Sequence, residues 1–324
     1  MSHGNEFPVL TQEECLQILH HVRRIGPVRF PWELAVYVAA IVAMASSLAL
    51  LTLHSWVLFA TSVALLATSF LFFQLLLHEC AHDALFRSRS WNTISGWLIG
   101  LLVITPFFSF RRGHAVHHSC VGTDDDPTAA PRDFRRHNFL IDILVLLRVV
   151  PVLYLGGVYG PYLLFDFQHR SRQRRRHLIV YGINLLCILA VHSSLAWTFG
   201  WERYVSLLLA AFWLSGILYE YFFTQNQHAG LLPGPEVADR YRHREQVNFS
   251  RSVRLRGAGF FLYFNLHKEH HLFPQLPCRY LPRIHQWLRE HRSDLLTFTS
   301  EHLGILRRRR SLNLFTPTAG DHDD

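Results

Sequence analysis

Four stretches of this chain, residues 34–53, 56–77, 178–199 and 204–223, are almost uncharged over the length needed to cross a bilayer core of roughly 30 Å. Only His54 and Ser55 separate the first two, and Gly200-Trp201-Glu202-Arg203 joins the last two, so the pattern predicts two transmembrane helical hairpins. Two further apolar stretches, 91–110 and 139–167, need another reading. A crossing by 91–110 would put the polar segments around His78 and His114 on opposite membrane faces, and Pro106 interrupts it near its end. It is read as a re-entrant or interfacial helix pair. The stretch 139–167 contains Asp142, Arg148, Pro151, Gly156, Gly157, Gly160 and Pro161, and charge inside a span is expensive, so it is read as an interfacial helix with breaks.

At the N-terminus, Thr11-Gln-Glu-Glu14 has the form of a capping box and 15–22 has helical apolar spacing, which predicts a helix lying along the membrane. Beyond Arg310 the chain reads as a flexible tail. The resulting organisation is an N-terminal cytoplasmic segment (1–32), one integral membrane domain (33–296) and a basic C-terminal segment with its tail (297–324). The fold class expected is all-α: four transmembrane helices in two hairpins, interfacial helices, and a cytoplasmic helical cap.

Charge supports this picture. The 324 residues carry a formal +8, and of the 32 basic side chains only Lys268 is a lysine. With both termini cytoplasmic, every Lys and Arg except Arg203 falls on the cytoplasmic side, which is the bias that orients membrane proteins. The arginines are therefore assigned to the membrane surface, the run 170–176 as an anchor on anionic headgroups, and no nucleic acid partner is expected. Residues 1–31 lack a signal-peptide pattern. The cysteines at 15, 80, 120, 187 and 278 are scattered and odd in number, which predicts no disulfide framework.

Candidate chemistry lies in three histidine clusters: His78 and His82; His114, His117 and His118; His267, His270 and His271. Residues three and four apart share a helix face, so each cluster can aim its imidazoles at one point. At this histidine content chance supplies roughly 0.1 copies of H-x-x-H-H, against the two present. Eight clustered imidazoles without a Cys-x-x-Cys exceed the ligands of one zinc site, so two metals are expected. Imidazole suits iron, copper, nickel and zinc rather than magnesium or calcium. An apolar setting offers a hydrolase no polar handle and favours an oxidising metal, with iron as the first choice. His228, just beyond the fourth expected span, is a ninth candidate ligand. Glu79, Asp83, Asp126 and Glu269 are candidates for holding the second nitrogen of a bound imidazole. His137, His169, His177, His243, His285 and His291 have no such spacing and are left as surface residues or neighbours of the ligands.

On these residues the chain resembles the membrane fatty acid desaturase superfamily, which also contains hydroxylases, acetylenases and carotenoid-modifying oxygenases. The likeness runs from about Phe72 to Leu296: H-x-x-x-H at His78 and His82, H-x-x-H-H at His114 and at His267, His78-Glu-Cys-Ala-His82-Asp, and Glu269-His-His-Leu-Phe-Pro274 followed by Leu281-Pro-Arg-Ile-His285. The resemblance implies a di-iron centre in the cytoplasmic cap, consuming O2 and two electrons to desaturate an acyl chain that is lipid-, CoA- or carrier-linked. No haem-binding pattern accompanies it, so a separate electron donor such as ferredoxin or cytochrome b5 is implied. The water-linked asparagine of some acyl-CoA desaturases has only Asn226 and Asn265 as counterparts here, because the residue four before His228 is Thr224. Trp97, Phe107, Phe108 and Phe264 are candidate walls of an acyl channel, and apolar packing explains them equally well. Three rivals stay open: a fatty acyl or carotenoid hydroxylase of the same superfamily, a membrane zinc hydrolase, and a non-catalytic metal carrier.

Overall fold

The computed structural model describes residues 8–24, 32–121, 123, 125–127, 165–168, 173–219, 227, 245, 247–255, 257–296 and 298–299. They form helices α1 (Gln12–Arg24), α2 (Trp32–Leu51), α3 (Trp56–Ala81), α4 (Arg89–Leu102), α5 (Phe107–Ser119), α6 (Phe165–Gln168), α7 (Arg174–Phe199), α8 (Trp201–Tyr219), α9 (His267–Leu272) and α10 (Leu281–His291). Two residue pairs depart from the all-α expectation, β1 (Ser252–Val253) and β2 (Phe298–Thr299), which run parallel. The chain divides into an apolar unit, Trp32–Ala115 with Ile143–Tyr221, and a polar unit, Met1–Pro31 with Val116–Asp142 and Phe222–Asp324. The division falls within α5.

In the apolar unit α2, α3 and α7 are long and apolar enough to cross a membrane, and the count is four if α4 and α5, bent by 109° at their break, are taken as one span. That bend at Pro106 agrees with the helix pair expected over 91–110. The segment expected as the fourth span is α8, described to Tyr219; Glu202 and Arg203 in its first turn keep it out of the set of three. Large apolar side chains stand exposed along these helices, among them Leu34, Val42, Val57 and Leu186, which is compatible with a multi-pass membrane protein.

Packing within this unit uses the devices of helices in hydrocarbon. The α2–α3 pair is tied by hydroxyls, Ser47 Oγ donating to Ser62 O and Ser69 Oγ donating to Ala40 O, each at 2.8 Å. Against α8, the rings of Phe70 and Phe212 meet at 4.7 Å. With 26 residues, α3 is about 39 Å long at 1.5 Å per residue and outruns the hydrocarbon core by roughly two turns. From Ser69 to Cys80 every one of its residues except Phe72 is buried.

The α4–α5 pair closes on glycines. A Cβ at Gly96 would lie 2.3 Å from the Phe107 ring, and one at Gly100 would lie 2.5 Å from the Thr105 carbonyl oxygen, so both positions are fixed by contact. Buried Asn92 accepts from Phe86 N (2.9 Å) and donates to Phe86 O (2.7 Å), which ties the preceding loop to α4. His192, inside α7, donates from Nε2 to Leu101 O at 2.9 Å and accepts on Nδ1 from the Tyr204 hydroxyl at 2.6 Å. A carbonyl can only accept, which fixes this tautomer and satisfies the ring inside the membrane. Of the stretch 139–167 only 165–167 is described, within α6; there buried Asp166 receives both an Nε bond of 2.8 Å and an Nη2 bond from Arg112.

In the polar unit the capping box forms as expected: Glu14 N donates to Thr11 Oγ1 at 3.2 Å and Thr11 N donates to Glu14 Oε2 at 2.7 Å. Those bonds, first the Thr11 amide and then Arg292, hold the Glu14 carboxyl below the usual range. The helix does not present its apolar face outward, because Ile18 and Val22 are buried and α1 packs on α10, with Arg292 Nη1 donating to Glu14 Oε1 at 2.7 Å. All five cysteines are free thiols. The tail after Arg310 lies outside the described residues.

Candidate metal centre

The buried end of α3 carries the first histidine cluster. His78 lies in its last turn and His82 caps it, with His82 N donating to His78 O. Asp83 then enters the left-handed region (φ 58°), and Ala84 N returns to Glu79 O at 2.9 Å, closing the helix. His114, on α5, joins this pair: its ring centroid is 4.6 Å from that of His78 and 4.8 Å from that of His82. Each of the three offers one ring nitrogen, all within 4.8 Å of one another.

The polar unit brings together the other five. His117 and His118 come from the end of α5, and His267, His270 and His271 from α9. Leading into α9 is a tight turn in which Leu262 and Tyr263 both hold left-handed backbone, φ 51° and 53°, secured by Tyr263 N donating to Ala258 O at 2.8 Å. Two consecutive non-glycine residues in that region cost on the order of 1–2 kcal/mol each. His117, His267 and His271 offer nitrogens within 4.8 Å of one another, and the rings of His118 and His271 lie 4.3 Å apart.

Three pairs of ring nitrogens face each other: His82 Nε2 with His114 Nε2 at 2.9 Å, His118 Nε2 with His270 Nε2 at 3.1 Å, and His267 Nε2 with His271 Nε2 at 3.0 Å. Imidazoles bound to one cation at about 2.1 Å and a right angle have nitrogens about 3.0 Å apart, so the spacing is compatible with ligands on a metal as well as with N–H···N hydrogen bonds. The donor set is all nitrogen and, apart from His82, buried. These residues fit a resident transition metal, iron included.

The carboxylates divide by role. Asp126 Oδ1 and Oδ2 accept from His117 Nδ1 at 3.0 and 3.1 Å, which leaves Nε2 as the lone-pair nitrogen. Glu79 Oε1 lies 3.6 Å from His78 Nδ1, beyond hydrogen-bond reach. Asp83, a candidate for holding an imidazole, follows α3 in the left-handed region and pairs with Arg111 and, at 3.5 Å, Arg89. Glu269 is fully buried and accepts from His285 Nδ1 at 2.5 Å and from the Ser252 hydroxyl. Next to it Lys268 Nζ donates to Asn248 Oδ1 at 3.0 Å, and burial lowers the pKa of this ammonium to about 8.

His228 lies outside the described residues, as do Asn226 and Thr224. Its neighbour Gln227 is buried and donates from Nε2 to Phe264 O at 2.6 Å, three residues before the third cluster. Asn265 Nδ2 donates to Val253 O at 2.7 Å, which occupies its amide in fastening α9 to β1. Of the candidate wall residues, Phe107 fills the space over Gly96 and the Phe264 ring lies 5.5 Å from that of His267. His192 and His285 are the polar partners that sequence reasoning missed; their partners are distant in sequence, and a histidine inside an expected span is the signal that could have found His192.

Comparison with known proteins gives a consistent result. The sequence model of one family, described as fatty acid desaturase, matches residues 54–300. A fatty acid desaturase of Bacillus subtilis is 23% identical over 258 residues, covering 74% of this chain and 71% of its own. A chloroplastic ferredoxin-type sn-2 acyl-lipid omega-3 desaturase of Arabidopsis thaliana is 23% identical over 274 residues, covering 78% and 60%. A sphingolipid delta(4)-desaturase of Rattus norvegicus is 25% identical over 233 residues, covering 70% and 64%. The chain thus spans less than two thirds of the plant and rat proteins.

Proposed function

Because the chain belongs to the fatty acid desaturase family, we propose that it is a membrane-bound, oxygen-dependent acyl desaturase. The observation that carries this reading is the set of three facing Nε2 pairs at 2.9–3.1 Å among histidines that are nearly all buried. The eight clustered histidines together with His228 are the proposed ligands of two irons. Support for His228 comes from Gln227, whose bond to Phe264 O ties the adjacent backbone to the third cluster. Bound there, two irons supply the oxidising power, drawn from dioxygen and two electrons, to take two hydrogens from adjacent methylenes of an acyl chain.

The chain's own residues make that chemistry selective. Asp126 holds the His117 proton on Nδ1 and keeps Nε2 available, so this imidazole is oriented in advance. Burial of the clusters excludes water, which limits side reactions. The long α3 gives a physical reason for placing His78 and His82 at the bilayer edge, where a lipid chain can reach them. The topology proposed is four spans in two hairpins, with both termini and all clusters cytoplasmic, which the placement of the arginines supports. The electron donor is a separate protein, and the plant relative's name makes a ferredoxin the first candidate.

Metal analysis of the purified full chain tests this reading against the zinc-hydrolase rival. About two irons per chain, lost together with oxygen consumption on treatment with a chelator and restored by ferrous iron, are expected. Stoichiometric zinc with no oxygen uptake in the presence of reductant contradicts it.

A further inference from the structure

On the polar unit's surface a groove is lined by Arg254, His285, Arg289, Ser293 and Leu296. Arg254 and Arg289 are exposed, and among the described residues neither guanidinium has a carboxylate partner. The acids next to them on α10 and just beyond it are engaged elsewhere: Glu290 accepts from Gln286 Nε2 at 2.9 Å, and Asp294 pairs with Arg292 at 2.8 Å. Among the lining residues the His285 side chain is 21% exposed, while Glu269, which receives its Nδ1 bond, is 0% exposed. Glu269 directly precedes His270 in the chain. A continuous bonded path therefore runs from the groove through His285 and Glu269 to the third histidine cluster, and a bonded path of this kind is a route for an electron.

Resting on the oxidoreductase reading above, we infer that this groove is the docking site of a small acidic electron-carrier protein. Two unpaired guanidiniums present a fork geometry that matches surface carboxylates, and Leu296 and Ser293 supply apolar and polar contact beside them. The proposed reaction, –CH2–CH2– + O2 + 2 e⁻ + 2 H⁺ → –CH=CH– + 2 H2O, takes one electron per docking from a one-electron carrier. The carrier is oxidised in two successive encounters, and the protons come from water. Charge complementarity at such a site sets the encounter rate and makes it fall with salt.

The test is binding of a plant-type ferredoxin to the full chain in phosphatidylcholine nanodiscs at low salt. The Arg254→Glu/Arg289→Glu variant is expected to raise Kd by at least about tenfold. Arg254→Gln/Arg289→Gln is expected to raise it by several-fold, with the melting temperature of both variants unchanged. A Kd within twofold of the parent in the charge-reversed variant, or no ferredoxin binding by the parent protein, overturns the docking site. Dithionite-driven desaturation by the parent protein separates the two readings. Its presence beside an unchanged Kd sinks only the docking site, and its absence sinks the desaturase reading itself.

Discussion

Replacement of His118 by alanine is expected to abolish double-bond formation and to lower bound iron to one equivalent or fewer. His118 Nε2 faces His270 Nε2 at 3.1 Å, and its ring stands 4.3 Å from that of His271, so one substitution strips a nitrogen from the most crowded part of the cluster. The loss exceeds the roughly 100-fold that an orienting partner of a ligand is worth, because the ligand itself is removed. The packing of α2, α3 and α8 does not depend on this ring, so detergent extraction and elution volume should match the parent protein. Iron by elemental analysis and product by mass spectrometry check both halves. Full iron with full activity would remove His118 from the ligand set.

Asp126→Asn is expected to weaken metal binding or activity by about 10–100-fold. The substitution keeps the shape of the side chain but removes the charge that steadies the proton on His117 Nδ1, a nitrogen 3.0 and 3.1 Å from the two carboxylate oxygens. The imidazole then becomes a weaker base and is free to adopt the other tautomer. Competition with a chelator of known affinity measures the effect, and an unchanged iron affinity together with unchanged turnover would leave Asp126 as a loop acid beside the cluster. Asp83 offers no such effect on paper, since it ends α3 and faces arginines.

The parts of the molecule that were legible in the sequence are those with a short period. The clusters repeat at three and four residues, which a helix turns into convergence, and the spans announce themselves as long uncharged runs. Pro106 and the polar segments flanking 91–110, around His78 and His114, marked the bent pair, and Thr11 with Glu14 marked the start of α1. What escaped depends on partners far apart in the chain. His192 is held by Leu101, 91 residues away, and α1 is docked through Glu14 and Arg292, 278 residues apart. Glu269 was read beside its neighbours in the third cluster, yet its partners are Ser252 and His285, 17 and 16 residues distant. The β1–β2 pair has two residues per strand, too few for any alternation to show. The left-handed backbone of Asp83 (φ 58°) and its pairing with Arg111, 28 residues on, have no short-period signal either.

The most direct test of the whole account is mass spectrometry of total fatty acids from a desaturase-poor host expressing the full chain, beside the His118→Ala variant. The account predicts acyl chains two hydrogens lighter with the parent protein alone, with fragmentation locating a single new double bond. Chains that gain oxygen instead would assign the hydroxylase chemistry of the same superfamily, and identical lipid profiles from both proteins, each shown to be produced and the parent shown to be iron-loaded, would contradict acyl desaturation.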